Sequence, residues 1–299
     1  MIPVPEIVLE RIETAVGSQR VDNRGTVPER VIQTTGFSVR YLAAAGETLF
    51  DLCLAAARKL PEEELRSVGG VIVATFSAAD RFPSLAVRLA AALGLPAGVP
   101  AFDLQMACSA YPYAVYLAGR LAADTGRRVL LIDGDLQSRL TAAEDPATAP
   151  LFSDAATATL VACNPASSAR SQVAFLSRAS EALACPAEGP IRMDGFGVFS
   201  FVASEVTPVL RDFLAQAAAE DPRAVDFFAP HQANLYMVRQ LARSLDLSDR
   251  LLTSGEVYAN PGSCSIPLTL AHHGCRGRVL VVGFGAGLSA AAALVRCGA

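Results

Sequence analysis

Tryptophan is absent from this chain of 299 residues, lysine occurs once, as Lys59, and histidine three times. Of the 25 Lys and Arg residues the other 24 (25 − 1) are therefore arginine, a bias that reads as genomic composition before it reads as anion recognition. A formal net charge of −4 supplies no concentrated basic face, so nucleic acid is not an expected partner. No stretch reaches about 18 uninterrupted apolar residues, so no membrane span is expected. The opening MIPVPEIVLERIE lacks a basic segment followed by an apolar run, which argues against an export signal. Tandem repeats, heptads and low-complexity tracts are missing as well. Cys53, Cys108, Cys163, Cys185, Cys264, Cys275 and Cys297 are odd in number and scattered, with no C-x-x-C. Free thiols in a reducing cytoplasm follow, most of them small buried hydrophobes. His272 and His273 have no cysteine or carboxylate at ligand spacing, so no metal site is expected.

What the chain does have is core-forming material. Hydrophobic residues make up 52% and charged residues 18%, enough apolar surface to offset the entropy of ordering. Short apolar runs alternate with alanine-rich helical patterns, which predicts an α/β protein. GVIVAT, AFDLQ, RVLLIDGD and ATATLVAC read as strands before residue 165, with helices over 84–94 and from Cys108 to about Asp124. VDFFA, VYAN, RVLVVGF and LSAAAALVR read as strands in the second part, with helices from Asn234 to Leu245 and in SIPLTLAHH. The order recurs, so two duplicated halves are expected, 1–165 and 166–299, separated by the polar break ACNPASSARSQ. Between them residues 198–220 have helical spacing, with a kink or turn expected at Pro208.

Four places could carry chemistry. Cys108 follows a strand, and Pro112, tolerable only in the first helical turn, puts a helix N-terminus beside it. There the macrodipole is expected to lower the thiol pKa. A shift from roughly 8.5 to about 7 would raise the thiolate fraction at neutral pH from about 3% to about half. His231 lies at a strand end before a helix, although such a histidine can equally be structural. Asn260 also reads as a strand-end residue, and Asn-Pro-Gly is an ordinary turn former. Gly283, Gly285 and Gly287 superficially suggest a dinucleotide fold, but only twelve residues follow Gly287, too few for a βαβ unit. A glycine turn between two strands, offering backbone N–H groups to an oxyanion, fits better. A duplicated fold can bring all four to one cleft.

RFPS, AFDLQMACSAYPYAVYLAGRL, LFSDAATATLV, MDGFGVFSF, PHQAN, YANPGSCSIPLTLA and GFGAG together resemble the β-ketoacyl-acyl carrier protein synthase III family over most of the chain. The resemblance implies a thiolase fold with αβαβα layers, a homodimer, and a Cys108–His231–Asn260 triad. It implies that Cys108 takes an acyl group from a thioester on coenzyme A or acyl carrier protein, with no cofactor. His231 and Asn260 would then stabilise the charge formed as a malonyl-type thioester loses carbon dioxide. Backbone N–H groups of Cys108 and of the Gly285–Ala286 turn would hold the oxyanion. Phe82 would cross the dimer interface to the partner's acyl pocket, and Asn234 and Phe284 would contact substrate. ERVIQTTGFSVR, with no Trp, and Tyr236, in place of a docking Arg, depart from the family pattern and imply a specialised paralogue. Transfer to a hydroxyl, amine or non-malonyl carbon nucleophile is the alternative chemistry, and a non-catalytic partner subunit the alternative class. A papain-like hydrolase shares the order Cys, His, Asn but not the C-G-S-C-[WY] block.

Overall fold

The computed structural model describes residues 2–221 and 225–298. Nine strands form its main sheet: β1 (Ile2–Val16), β2 (Gly70–Ala74), β3 (Ala101–Leu104), β4 (Val129–Leu136), β5 (Asp154–Asn164), β6 (Arg170–Ser177), β7 (Phe227–Pro230), β8 (Gly277–Gly285) and β9 (Ser289–Cys297). Their order is β7-β8-β9-β6-β1-β5-β4-β2-β3. Six helices position the site: α1 (Leu49–Ala57), α2 (Leu85–Ala92), α3 (Ala110–Thr125), α4 (Thr207–Glu220), α5 (Leu235–Ser244) and α6 (Ser265–His272).

Near-continuous Val/Ile/Leu runs form the interior strands because both sheet faces are covered. Alternation then sorts each strand's residues between two cores. In β2 and β4, Ile72 and Leu131 join Tyr111, Val115 and Ile266 on the helices between the half-sheets. Their neighbours Val71, Val73, Leu130 and Ile132 face Leu52 and Leu89 on α1 and α2. In β8, Val279 and Val281 face the central layer, while Leu280 and Val282 face Leu210 and Phe213 of α4 and Leu241 of α5. α3 packs against β2, β4, β5 and β1 on one side and β8 and β9 on the other. Ala114, Ala118 and Ala122 keep it slim enough to sit between two sheets.

The two parts share one strand order. β3-β2-β4-β5-β1 runs third, second, fourth, fifth, first, with β2 parallel to β3 and β4, and the remaining pairs antiparallel. In the second part a parallel bridge from Phe228 to Leu251 replaces the edge strand, and β7, β8, β9 and β6 repeat the sequence and the directions. β1 joins the parts, since Ile2–Pro5 pair with β6 before Glu6–Val16 pair with β5. We propose that the two units meet between β5 and β6, at 165/166.

One local expectation is corrected. VYAN is not a strand: Gly255–Tyr258 is a helical turn and Asn260 forms an isolated bridge with Phe152. Residues 198–220 lie in Gly195–Phe201, a π-turn over Val202–Val206, and α4. Pro208 has no N–H, so the ladder widens into the π-turn just ahead of it.

Candidate active site

Cys108 occupies a 3-10 turn, Ala107–Ser109, between β3 and α3. Ala107 has φ 42° and Ala259, just before Asn260, has φ 52°, both in the left-handed region that a residue with a Cβ rarely adopts. Each alanine lies between the third strand position of its half and the central helix that follows. Such strain, of order 1–3 kcal/mol per residue, persists only where the surrounding structure over-determines it.

The thiol is buried, and the backbone amides of Ala286 and of Cys108 itself act on its sulfur to favour the thiolate. The Gly-rich turn reaches it because Gly285 has no side chain. At φ 144° a Cβ there would stand 3.0 Å from the Cys108 Cβ and 3.4 Å from Sγ. The expected lowering of the thiol pKa does not occur. Burial pushes it up to about 12, the two amides offset part of that, and Asp135 and Asp133 add to the rise. Desolvation is the largest cause, and it favours the thiol over the thiolate.

His231 follows β7, and its backbone N–H donates to Val282 O at 2.7 Å. The ring is buried against the edge of Phe284, with centroids 5.5 Å apart. Its Nδ1 lies 2.9 Å from the Gly262 carbonyl and 2.9 Å from Ser265 Oγ. A carbonyl can only accept, so Nδ1 carries the hydrogen and Nε2 keeps a lone pair. Burial pulls the ring's pKa down to about 4, against a smaller upward pull from the Gly262 carbonyl. The imidazole is neutral and its tautomer is set.

Asn260 is also buried. Its Oδ1 accepts the Gly262 N–H at 2.9 Å, which orients the amide and leaves Nδ2 to present hydrogens elsewhere. Gly262 thus holds both side chains, Asn260 by its N–H and His231 by its carbonyl. It can do so at φ 66°, where a Cβ would meet Gln137 Nε2 at 2.9 Å. The turn Gly262–Cys264, which holds both side chains, packs against Ala107–Ser109, which carries the nucleophile.

A cavity of about 490 Å³ reaches Cys108 and Ala286, with Phe76, Met106, Phe152, Leu183, Ile191 and Leu288 among its apolar walls. The expected substrate residues lie elsewhere. Phe284 is fully buried behind His231, Asn234 caps α5 by accepting the Met237 N–H at 2.7 Å, and Phe82 is 85% exposed on a surface loop. None of the three lines this cavity. Sequence reasoning overlooked Gly262, which looked like a turn glycine, and the stretch from Ser177 to Ile191, whose composition resembles any loop.

Residues 102–177 match the family 3-oxoacyl-[acyl-carrier-protein (ACP)] synthase III, and residues 215–297 match its C-terminal family. The β-ketoacyl-[acyl-carrier-protein] synthase III of Laribacter hongkongensis is 32% identical over 98% of this chain and 96% of its own length. The Shewanella oneidensis protein of the same name is 30% identical over 91% of each. The chain belongs to the β-ketoacyl-acyl carrier protein synthase III family. As a synthase III family member it is an acyltransferase. The crystal structure of a 3-oxoacyl-(acyl-carrier protein) synthase from Burkholderia xenovorans superposes with TM-score 0.91 at 28% identity, over 99% of this chain and 95% of that one. A priming β-ketosynthase from the R1128 polyketide pathway superposes with TM-score 0.86 at 25% identity, over 99% and 98%. The layered arrangement is therefore the thiolase fold. Tyr236 on α5 is half-exposed, with its ring centroid 6.4 Å from that of Phe199.

Proposed function

We propose that this enzyme loads an acyl group from a coenzyme A or carrier-protein thioester onto Cys108. It then condenses that group with a malonyl-type thioester, releasing carbon dioxide. The observation that carries the reading is Gly262 fixing His231 and Asn260 at once, beside a thiol that already faces two amides.

In loading, Cys108 Sγ attacks the thioester carbonyl as its proton passes to Nε2 of His231. The oxyanion takes over the N–H groups of Cys108 and Ala286, and the expelled thiolate recovers the proton from Nε2. In condensation the malonyl C–C bond breaks and its electron pair moves into the thioester. Asn260 Nδ2 donates to the resulting enolate oxygen, while the His231 ring, with its hydrogen committed to Gly262, stays neutral. The carbanion then attacks the acyl carbon, the C–S bond breaks, and the Cys108 thiolate takes a proton from solvent. No metal or redox cofactor enters these steps.

The relatives' names support a place in fatty-acid or polyketide biosynthesis. The ERVIQTT segment and Tyr236 support a donor or acceptor particular to this paralogue. The free state of all seven cysteines accords with a reducing cytoplasm. Among the described residues the outer edge of β3 is unpaired, and Phe102 on that strand and Phe82 are exposed, which supports a homodimer. Intact-mass analysis with a panel of acyl thioesters, together with carbon dioxide release from malonyl thioesters, tests the reading. A mass gain abolished by Cys108→Ala and followed by decarboxylation is expected. Loading without decarboxylation would favour simple acyl transfer, and no labelling by any donor would sink the proposal.

A further inference from the structure

Asp133 on β4 is completely buried, and its Oδ2 has no hydrogen-bond partner. Asp135, two residues along on the same face, is equally buried but well satisfied. Its Oδ1 accepts from Thr75 Oγ1, Phe76 N, Ser77 N and Ser77 Oγ. Alternation aims both carboxyls into the central layer, as it does Leu131. A buried oxygen left unpaired destabilises a fold, and an apolar residue in this strand would not incur that loss. Asp133 therefore calls for an explanation other than stability.

Its remaining contacts supply one. Oδ1 accepts the Ser263 hydroxyl at 2.7 Å. The Cys264 thiol donates to the Asp133 backbone carbonyl at 2.8 Å and lies 3.6 Å from Oδ1. Ser263 and Cys264 directly follow Gly262 and are themselves buried. We propose that Asp133 is a positioning residue: through Ser263 it holds the Gly262–Cys264 turn so that Gly262 keeps both His231 and Asn260 in place against the turn that carries Cys108. This assignment rests on the acyl-transfer reading above.

The test compares Asp133→Ala, Asp133→Asn, Ser263→Ala and the double alanine variant. Turnover is scored as carbon dioxide release per Cys108 loaded, counted by intact mass, so misfolded protein drops out of the comparison. Each alanine variant is expected to lose roughly tenfold to a hundredfold in kcat with little change in KM, the size of effect expected when reacting groups are slightly misplaced. Asp133→Asn keeps an oxygen for Ser263 and should stay near wild type. The double variant should be no worse than either single one, because both break one contact. If Asp133→Ala does not fold, Ser263→Ala against Asp133→Asn decides the question. Unchanged kcat in the alanine variants, an asparagine variant as poor as alanine, or additive losses would each overturn the role. If wild-type enzyme neither loads Cys108 nor releases carbon dioxide, the acyl-transfer reading has failed first. If it does both, only the role of Asp133 is at stake.

Discussion

The Nδ1 nitrogen of His231 lies 2.9 Å from the carbonyl oxygen of Gly262, and that contact decides which ring nitrogen can act as a base. With Nδ1–H committed, Nε2 keeps the lone pair, and in the proposed mechanism it accepts the proton of a thiol whose pKa burial has raised to about 12. His231→Ala should slow acyl loading of Cys108 by roughly 10²–10⁴-fold, the usual range for losing a general base. Rapid-quench intact-mass measurement would show it. Because burial holds the ring near pKa 4, wild-type loading should persist as pH falls through 6.5 and decline only toward about 4. An acid limb at 6.5 would contradict the buried neutral ring.

Asn260 should separate the two half-reactions. In the proposed mechanism its Nδ2 serves the enolate, whereas loading uses the backbone amides and His231. Asn260→Ala is expected to retain Cys108 loading but lose roughly 10²–10³-fold in malonyl decarboxylation, as when one oxyanion donor is removed. Equal loss in both steps, measured by mass and by carbon dioxide release, would refute this division.

Gly285→Ala should be more harmful than its single methyl suggests. The added Cβ would lie 3.0 Å from that of Cys108, on a backbone at φ 144° that side chains rarely adopt. Expected are a fall in melting temperature corresponding to about 1–3 kcal/mol and near-complete loss of loading. Differential scanning fluorimetry and mass labelling check the two effects separately.

The buried acids make stability depend on pH. Burial raises the Asp133 pKa to about 8, with Ser263 pulling it down and Asp135 adding to the rise. Between about 4 and 8 the folded chain then holds a proton that the unfolded chain has released. The unfolded state binds fewer protons, so stability falls as pH rises through that window. Asp133→Asn should flatten this slope in urea melts taken at pH 5, 6.5 and 8. An unchanged slope would mean that Asp133 is ionised in the fold.

The edge of β3 predicts the assembly. If two copies pair there, sedimentation should give a dimer, and Phe82→Ser with Phe102→Asp should shift it toward monomer. A wild-type monomer at micromolar concentration would remove Phe82 from any role in a partner's pocket.

Much of this protein is legible in its residues alone. Seven of the nine sheet strands are legible as apolar runs because both sheet faces are buried, whereas the more polar β1 and β6, which join the two parts, were not foreseen. Cys108, His231 and Asn260 stand out by motif, and the shared strand order accords with the pattern of two like halves. Other features depend on neighbours distant in sequence. The sign of the Cys108 pKa shift follows from burial beneath the Gly-rich turn, some 177 residues away (285 − 108). Phe284 and Asn234 looked like substrate contacts because they flank motifs, yet packing turned one into the core and made the other a helix cap. The central role of Gly262 was also hidden, because a turn glycine reads alike in any loop. Local sequence set the elements and the reactive groups. Which hydrogen each group carries, and what it faces, was decided only when two half-sheets closed over the central helices and excluded water.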